Sequence, residues 1–279
     1  MNLEIVPAID VPLQEQARIA NEAFAGYVGG WAELDAHGVA RFLMLQGADL
    51  FHSRFVRVNG ELAGFGYITR TANMVRLSGM ALLPSARGTG AAAALLTHLC
   101  EEAQANGDEA MTLEVIEQNP RAVALYRRQG FRDLGRLLGW RCKPDGERQS
   151  DDGKLHEVGA PDALSSAMAR DYPDVPWQIS RHAISKVARI TAFELGDARV
   201  FISHPETTPI RVYGLHSSSP ELSPLREALR AVAARFPQHE FFAPPLWPEE
   251  FGNEIFAPLG FAREPLNQLH MRRDFLASR

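Results

Sequence analysis

The sequence predicts two mixed α/β domains in tandem. The chain has 279 residues, which suits two domains of ~140 residues better than one. A polar stretch rich in Gly and Asp, KPDGERQSDDGKLHEVG, runs from Lys143 to Gly159 and reads as a linker near the midpoint. On either side of it, strand-like and helix-like segments alternate. The expected division is a first domain at 1–145, a linker at 146–158 and a second domain at 159–279.

In the first half, LEIVPA is a short strand. LQEQARIANEAFAGY (13–27) and AELDAHGVARFLMLQG (32–47) carry apolar residues at helical spacing. SRFVRV and LAGFGYITR alternate as strands around Asn59-Gly60, a strong hairpin signal. MVRLSGMALLP (74–84) is a strand closed by Pro84, and a helix follows from about Gly90 to Asn106. EAMTLEVIE (109–117) is a strand. PRAVALYRRQG (120–130) is a short helix with Pro at its first turn and Gly at its end, where each is favoured. FRDLGRLLGWRC closes this half as a strand.

The second half has a similar rhythm. VARITAFEL, ARVFIS and PIRVYGLH read as strands, SPLREALRAVAARF (223–236) as a helix and EFFAPPLW as extended chain. EEFGNEIFAPLGF and the strand EPLNQLHMRRDF end it. Placing Gly130-Phe131 on Gly260-Phe261 sets Leu125 on Ile255, with a strand-like tail after both, so the halves read as a diverged repeat.

Composition narrows the function classes. The chain is 46% hydrophobic and 23% charged, an ordinary globular balance, with a formal net charge of −5. That charge argues against a general nucleic-acid binder and leans toward amine-bearing partners. Cys100 and Cys142 form no C-x-x-C pair and no zinc spacing, so no metal and no disulfide framework are expected. MNLEIVPAIDVP has no basic leader, and no segment approaches the ~18 apolar residues of a membrane span. The expectation is a cytoplasmic protein that does not bind membranes. No G-x-S-x-G is present, which disfavours a serine hydrolase.

The chemistry concentrates in RGTGAAAALL, residues 87–96. A glycine turn opening a helix leaves backbone N–H groups bare at the positive end of the helix dipole, a natural anion site. A plain helix cap would look the same by itself. A second segment, LEVIEQNPRAVALYRRQGF (113–131), resolves the choice. The pair resembles the GCN5-related N-acetyltransferases, the GNAT superfamily. Arg87, Gly90 and Ala92 match that family's R/Q-x-x-G-x-G/A motif. Asn119, Ala122, Leu125, Tyr126, Gly130 and Phe131 match its N-x-x-A-x-x-L-Y-x-x-x-G-F motif. The strand-to-turn phrase L-x-P-x-x-R-G, from Leu82 to Gly88, fits as well.

The resemblance implies a mostly antiparallel central sheet flanked by helices, with acetyl-CoA as cosubstrate. The turn Arg87, Gly88, Thr89, Gly90, Ala91 and Ala92 would hold its pyrophosphate, with Arg87 adding charge or ordering the turn. Backbone groups of Leu82 and Leu83 would pair with the pantetheine arm, and Asn119 would touch it from the other side. Tyr126 stands at the family's general-acid position, where a phenol can donate to the departing thiolate. Glu114 resembles the base of members that acetylate protein N-termini, with an ordinary edge-facing glutamate as the alternative; Glu117 is a weaker candidate. The first two helices and their connection would line the acceptor pocket, with Tyr27 and Trp31 foremost and Glu33, Asp35 and His37 nearby.

The implied activity is N-acetylation of a primary amine, on a small molecule or a peptide N-terminus. The alternative is a non-catalytic acyl-CoA-binding or regulatory module. The second half lacks the glycine turn, and the repeat alignment puts Phe256 at the Tyr126 place and Glu249 at the Asn119 place. It is expected to be a degenerate GNAT-like domain that packs on the first, shapes the acceptor site or joins two copies in a homodimer, with an unrelated α/β domain as the alternative.

Overall fold

The structure, a computed structural model, describes residues 2–71, 73–145, 154–165 and 176–275. The chain forms two compact units. Unit 1 is Met1–Leu134 with Leu269–Arg279, and unit 2 is Gly135–Gln268.

Unit 1 begins with β1 (Leu3–Pro7), α1 (Leu13–Ala23) and α2 (Ala36–Gln46). Helix α1 buries Gln16, Ala17, Ile19, Ala20 and Ala23, one helical stripe. Asp35 caps α2 by accepting the Gly38 N–H at 2.7 Å, and Gly47 ends it in the left-handed region. Strands β2 (Ala48–Val58) and β3 (Glu61–Thr71) form the expected hairpin, with Asn59 and Gly60 both at positive φ. Then come β4 (Met74–Leu82), α3 (Ala91–Ala105), β5 (Ala110–Ile116) and α4 (Pro120–Arg128).

The sheet order is β1-β2-β3-β4-β5, continued by the end of the chain's last strand. The β1–β2, β2–β3 and β3–β4 pairs are antiparallel, and β4–β5 is parallel. One core sits under α3 and α4, where Leu95, Leu96 and Leu99 meet Val75, Leu77, Met111 and Leu113. A second lies under α1 and α2 with Ile19, Val39, Leu43, Phe55, Phe65 and Tyr67.

β6 (Arg132–Cys142) leads into unit 2, which continues with β7 (His156–Val158), α5 (Ala160–Ser165), α6 (Arg181–Ile184), β8 (Ile190–Leu195), β9 (Ala198–Ser203) and β10 (Ile210–His216). Helix α7 (Ser223–Arg235), β11 (Phe241–Pro248), α8 (Glu249–Ile255) and β12 (Ala262–Asp274) follow. Its sheet runs β6-β11-β10-β9-β8-β7, with β10–β11 parallel. Trp140, Phe193, Leu229, Phe241, Trp247 and Phe256 fill its main core.

The units depart from a linear division at 145 and 159. From Gly135 onward β6 pairs with β11, and its Leu138, Trp140 and Cys142 sit in the unit 2 core. Leu269 and Met271, at the end of β12, sit in the unit 1 core. A cut between two sequence halves cannot show such pairings, because they join residues about a hundred positions apart or more. Residues 146–153 of the expected linker lie outside the described residues. Its end forms a strand: β7 pairs antiparallel with β8.

Candidate functional site

Strands β4 and β5 run side by side only from Met74–Ala110 to Leu77–Leu113. Ser78 is then bulged out of the β3–β4 ladder, its Oγ donating to the Tyr67 carbonyl at 3.1 Å. Past this bulge β4 stays with β3, so β4 and β5 part. An opening of this kind, at the carboxyl ends of parallel strands, is where α/β sheets receive ligands.

Backbone alternation decides which groups of β4 face the opening. The Leu83 N–H donates to the Ala63 carbonyl at 2.8 Å, and its carbonyl accepts the Ala86 N–H at 3.0 Å. In an antiparallel pair the next residue's groups point the other way. Leu82 and Met80 therefore face the parted side, and Leu83 faces β3. Of the two backbone positions expected to hold a pantetheine arm, Leu82 faces the parted side, its carbonyl accepting from Arg87 Nε, and Leu83 is bonded to β3 and to the turn. The sequence reading passed over Met80, although counting back by two from Leu82 finds it.

Residues 84–90 connect β4 to α3. Gly88 and Gly90 have φ of 80° and 87°, and a Cβ on either would meet nothing within 4 Å. Gly90 caps α3 without a side chain, and Thr89 Oγ1 donates to the Ala86 carbonyl at 2.7 Å. The Ala91 N–H donates to Thr89 Oγ1 at 3.4 Å, and the Ala92 N–H, also in the first turn of α3, has no partner along the helix. Arg87 donates through Nη2 to the Ala23 carbonyl at 2.9 Å and through Nε to the Leu82 carbonyl at 3.3 Å. Of its two expected roles, these bonds fit ordering: it ties the turn to the ends of α1 and β4.

Across the opening, Asn119 caps α4, its Oδ1 accepting the Ala122 N–H at 3.3 Å. Tyr126 lies one helical stretch further on, buried, with its ring 5.9 Å from Phe131. Tyr27, from the loop after α1, stands beside the Asn119 side chain, which counts among the influences on its phenol. Burial pushes the Tyr126 phenol well above its ordinary range, and neighbouring Tyr27 adds to this. Burial also raises Tyr27, which the Asn119 contact partly offsets. The loop is seated closely: a Cβ on Gly29 would lie 2.5 Å from Ile116 Cδ1. Thus Tyr27, Asn119 and Tyr126, separated in sequence, form one cluster.

Trp31 belongs to other contacts. Its Nε1–H donates to Asn21 Oδ1 at 2.9 Å, and its ring stacks on Phe24 at 4.5 Å. It braces the connection between α1 and α2. Glu33 and His37 are exposed, and Asp35 is the α2 cap.

Glu114 faces away from Leu113 and Val115, as alternation predicts. It is not an open carboxylate. Arg76 of β4 holds its Oε2 through Nη2 at 2.6 Å and Nε at 2.8 Å, with both side chains almost wholly buried. Arg76 Nη1 also donates to Gln46 Oε1 at 3.1 Å. The alternative of an ordinary edge glutamate did not foresee this either; the missing signal was the arginine on the neighbouring strand.

Unit 2 repeats the frame. The Phe131 N–H donates to the Tyr126 carbonyl at 3.1 Å, and the Phe261 N–H to the Phe256 carbonyl at 3.2 Å. Gly130 and Gly260 share a left-handed φ, 84° and 78°. Strand β10 is bulged at Tyr213 before Gly214, as β4 is at Ser78 before Gly79, and it too pairs in parallel only ahead of the bulge. The turn differs. Asp197 Oδ2 accepts from Ser217 Oγ and Ser218 Oγ at 2.9 Å and from the Ser219 N–H at 3.1 Å. The Ser218 hydroxyl leads the contacts that lower the Asp197 pKa. An internal carboxylate thus takes donors at the place where unit 1 keeps a bare glycine turn.

A mixed sheet parted between two parallel strands, with a helix N-terminus at the opening, is a frame on which α/β domains commonly receive phosphate-bearing ligands. Residues 18–131 match the model of the acetyltransferase (GNAT) family, and this stretch of the chain is a GNAT domain. Among curated proteins, thialysine N-epsilon-acetyltransferase of Bos taurus is 31% identical over 78 residues, 28% of this chain and 46% of that protein. Streptothricin acetyltransferase of Streptomyces lavendulae is 34% identical over 94 residues, 32% of this chain and 50% of that protein. The matches thus span about half the length of these relatives.

Among solved structures, a GCN5-related N-acetyltransferase from Anabaena variabilis aligns over 98% of this chain and 73% of its own, with TM-score 0.67 and 14% identity. A tandem GNAT protein from the clavulanic acid biosynthesis pathway aligns over 100% of both chains, with TM-score 0.62 and 15% identity. The fold is therefore that of a tandem GNAT protein, with the expected largely antiparallel sheet flanked by helices. Among the described residues no helix is long and apolar enough to cross a membrane.

Proposed function

We propose that unit 1 transfers an acetyl group from acetyl-CoA to the primary amine of a small molecule. The observation that carries this reading is the pairing of a bare glycine turn at 88–90 with the Tyr27–Asn119–Tyr126 cluster across the β4–β5 opening. The open space beside Gly88 and Gly90 fits a pyrophosphate lying on the backbone. Met80 and Leu82 supply strand-like partners for an amide-bearing arm. Acetyl-CoA supplies the acyl thioester; the amine nitrogen attacks its carbonyl and gives up a proton, the C–S bond breaks, and the departing thiolate takes up a proton, leaving the amide and the free thiol of CoA.

Tyr126 is the residue for the thiolate. A phenol whose pKa is raised by burial keeps its proton at any working pH. A thiol is the stronger acid, so the phenol's share is a hydrogen bond to the developing thiolate more than full proton transfer. We assign Glu114 a positioning role in place of the base role first expected. Its bond to Arg76 locks β4 against β5 where they part, and a carboxylate held in this way is poorly placed to take a proton from an entering amine. A small-molecule acceptor is favoured because both curated relatives are named for small molecules, one at an Nε amine. Unit 2 has no equivalent turn and no second acyl-CoA site in this reading.

Thiol release from acetyl-CoA with a panel of small amines tests the proposal. Steady, amine-dependent release supports it. Tight CoA binding without turnover on any amine points instead to an acyl-CoA-binding module.

A further inference from the structure

The two units carry the same arginine in two different states. VRLSG at 75–79 and IRVYG at 210–214 occupy corresponding stretches of β4 and β10, each with the bulge just before the glycine. Arg76 stands beside Thr112 of β5, and Arg211 stands beside Phe242 of β11. Two residues beyond Thr112 is Glu114, the carboxylate that neutralises Arg76. Two residues beyond Phe242 is Pro244. Unit 2 has kept the cation and replaced its counter-charge with a residue that cannot accept a hydrogen bond through its side chain.

The surroundings of Arg211 do not make up the loss. Its neighbours Ile210 and Val212 turn into the core beneath α7, so its own side chain points to the opposite sheet face. The guanidinium lies 5.2 Å from the centre of the Tyr213 ring. Its Nε is buried and has no hydrogen-bond acceptor. Among the described residues no carboxylate pairs with it, and burial works against its charge with only Tyr213 opposing. The adjacent Arg141, 4.6 Å over the Phe242 ring, is already closed by Glu240 and Glu264. A partly buried cation without a counter-charge carries a desolvation cost that a completed pair offsets.

We propose that Arg211 is the anchor of a ligand site in unit 2 that takes a small organic monocarboxylate. The ligand's carboxylate replaces the group that Glu114 provides in unit 1. A planar guanidinium fork matches a carboxylate in two parallel hydrogen bonds. The Tyr213 ring beside it suits an apolar body on the acid. A phosphate dianion would call for more donors than one guanidinium offers.

The test is thermal melting of the full chain with acetate and with benzoate, against chloride at equal ionic strength. A single such contact with an apolar neighbour implies a dissociation constant of ~1 mM, so titration to ~0.1 M reaches about a hundredfold excess. The melting temperature is expected to rise by about 5–10 °C there, more steeply for benzoate. Arg211→Met should lose the response while folding, because it removes a buried charge and keeps the volume. Pro244→Glu restores the carboxylate within the chain and should also lose the response, melting higher than the parent without added acid. An equal rise in Arg211→Met, or no rise in the parent protein, overturns the proposal. If Pro244→Glu does not fold, the comparison of the parent with Arg211→Met decides alone.

Discussion

Gly90→Asp separates the anion-turn reading from a plain helix cap. The residue sits at φ 87°, where a side chain costs about 1–2 kcal/mol, less for Asp, which tolerates this region. A Cβ there meets nothing within 4 Å, so no clash adds to the cost. A carboxylate at a helix N-terminus is worth about 0.3–1 kcal/mol in the opposite direction. The two effects nearly cancel, and the melting temperature should move by no more than a few degrees. Ligand binding should respond differently. If a phosphate rests on this turn, the new charge lies ~5 Å from it. At an effective dielectric of about 20, the repulsion is about 3 kcal/mol per phosphate charge. That weakens CoA binding by roughly 100-fold or more. Gly90→Ala carries the backbone strain without the charge and should lose far less affinity. Isothermal titration with CoA, paired with a melting curve for each variant, measures both quantities. Unchanged CoA affinity in a folded Gly90→Asp protein refutes the reasoning.

The remaining predictions concern the opposite wall and the core. Tyr126→Phe should lower kcat by about 10²-fold or more while leaving the KM for acetyl-CoA nearly unchanged, since the hydroxyl acts on the departing thiolate; an unchanged kcat removes that role. Glu114→Gln breaks a buried ion pair and should destabilise unit 1 by about 3–5 kcal/mol in chemical denaturation, with the pH profile of kcat/KM unmoved. A shifted acidic limb would return the base role to Glu114. Burial pushes the Cys100 thiol up to about 11, so the folded chain holds this proton more tightly than the unfolded chain, whose thiol titrates near ~8.5. Its contribution to stability is complete below about pH 8.5 and declines as pH rises toward 11, which denaturation of the parent and Cys100→Ala proteins at pH 8 and 10 should reveal as a difference that narrows.

The local devices of unit 1 were legible because each follows from neighbours in sequence. Asn59-Gly60 needs only two residues at positive φ to close a hairpin. Pro120 and Gly130 bound α4 through backbone geometry that their own chemistry sets. The glycine turn ahead of α3 is read the same way, and so is the outward-facing alternation of Glu114 on β5. One motif at the end of each half was enough to suggest a repeat, because a left-handed glycine followed by a phenylalanine repeats a local cap.

What was not legible depends on pairings across the sheet. Leu83 faces β3, its N–H bound to the Ala63 carbonyl, and no stretch of β4 alone states which residues do so. Glu114 differs from an open carboxylate because the β4–β5 register sets Arg76 against it. Trp31 is drawn to Asn21 and Phe24, whereas Tyr27, four residues earlier, reaches Asn119. The unit boundary falls within β6 because its later residues pair with β11. By itself, then, the sequence determined the class of fold, the family resemblance of the first half and the glycine turn ahead of α3, since these rest on propensities and spacings of a few adjacent residues. The tertiary structure alone decided which backbone edge lines that opening, which acid is neutralised and which arginine is left without a counter-charge. Those outcomes depend on register, and register is fixed by strands that lie next to each other in space and far apart in the chain.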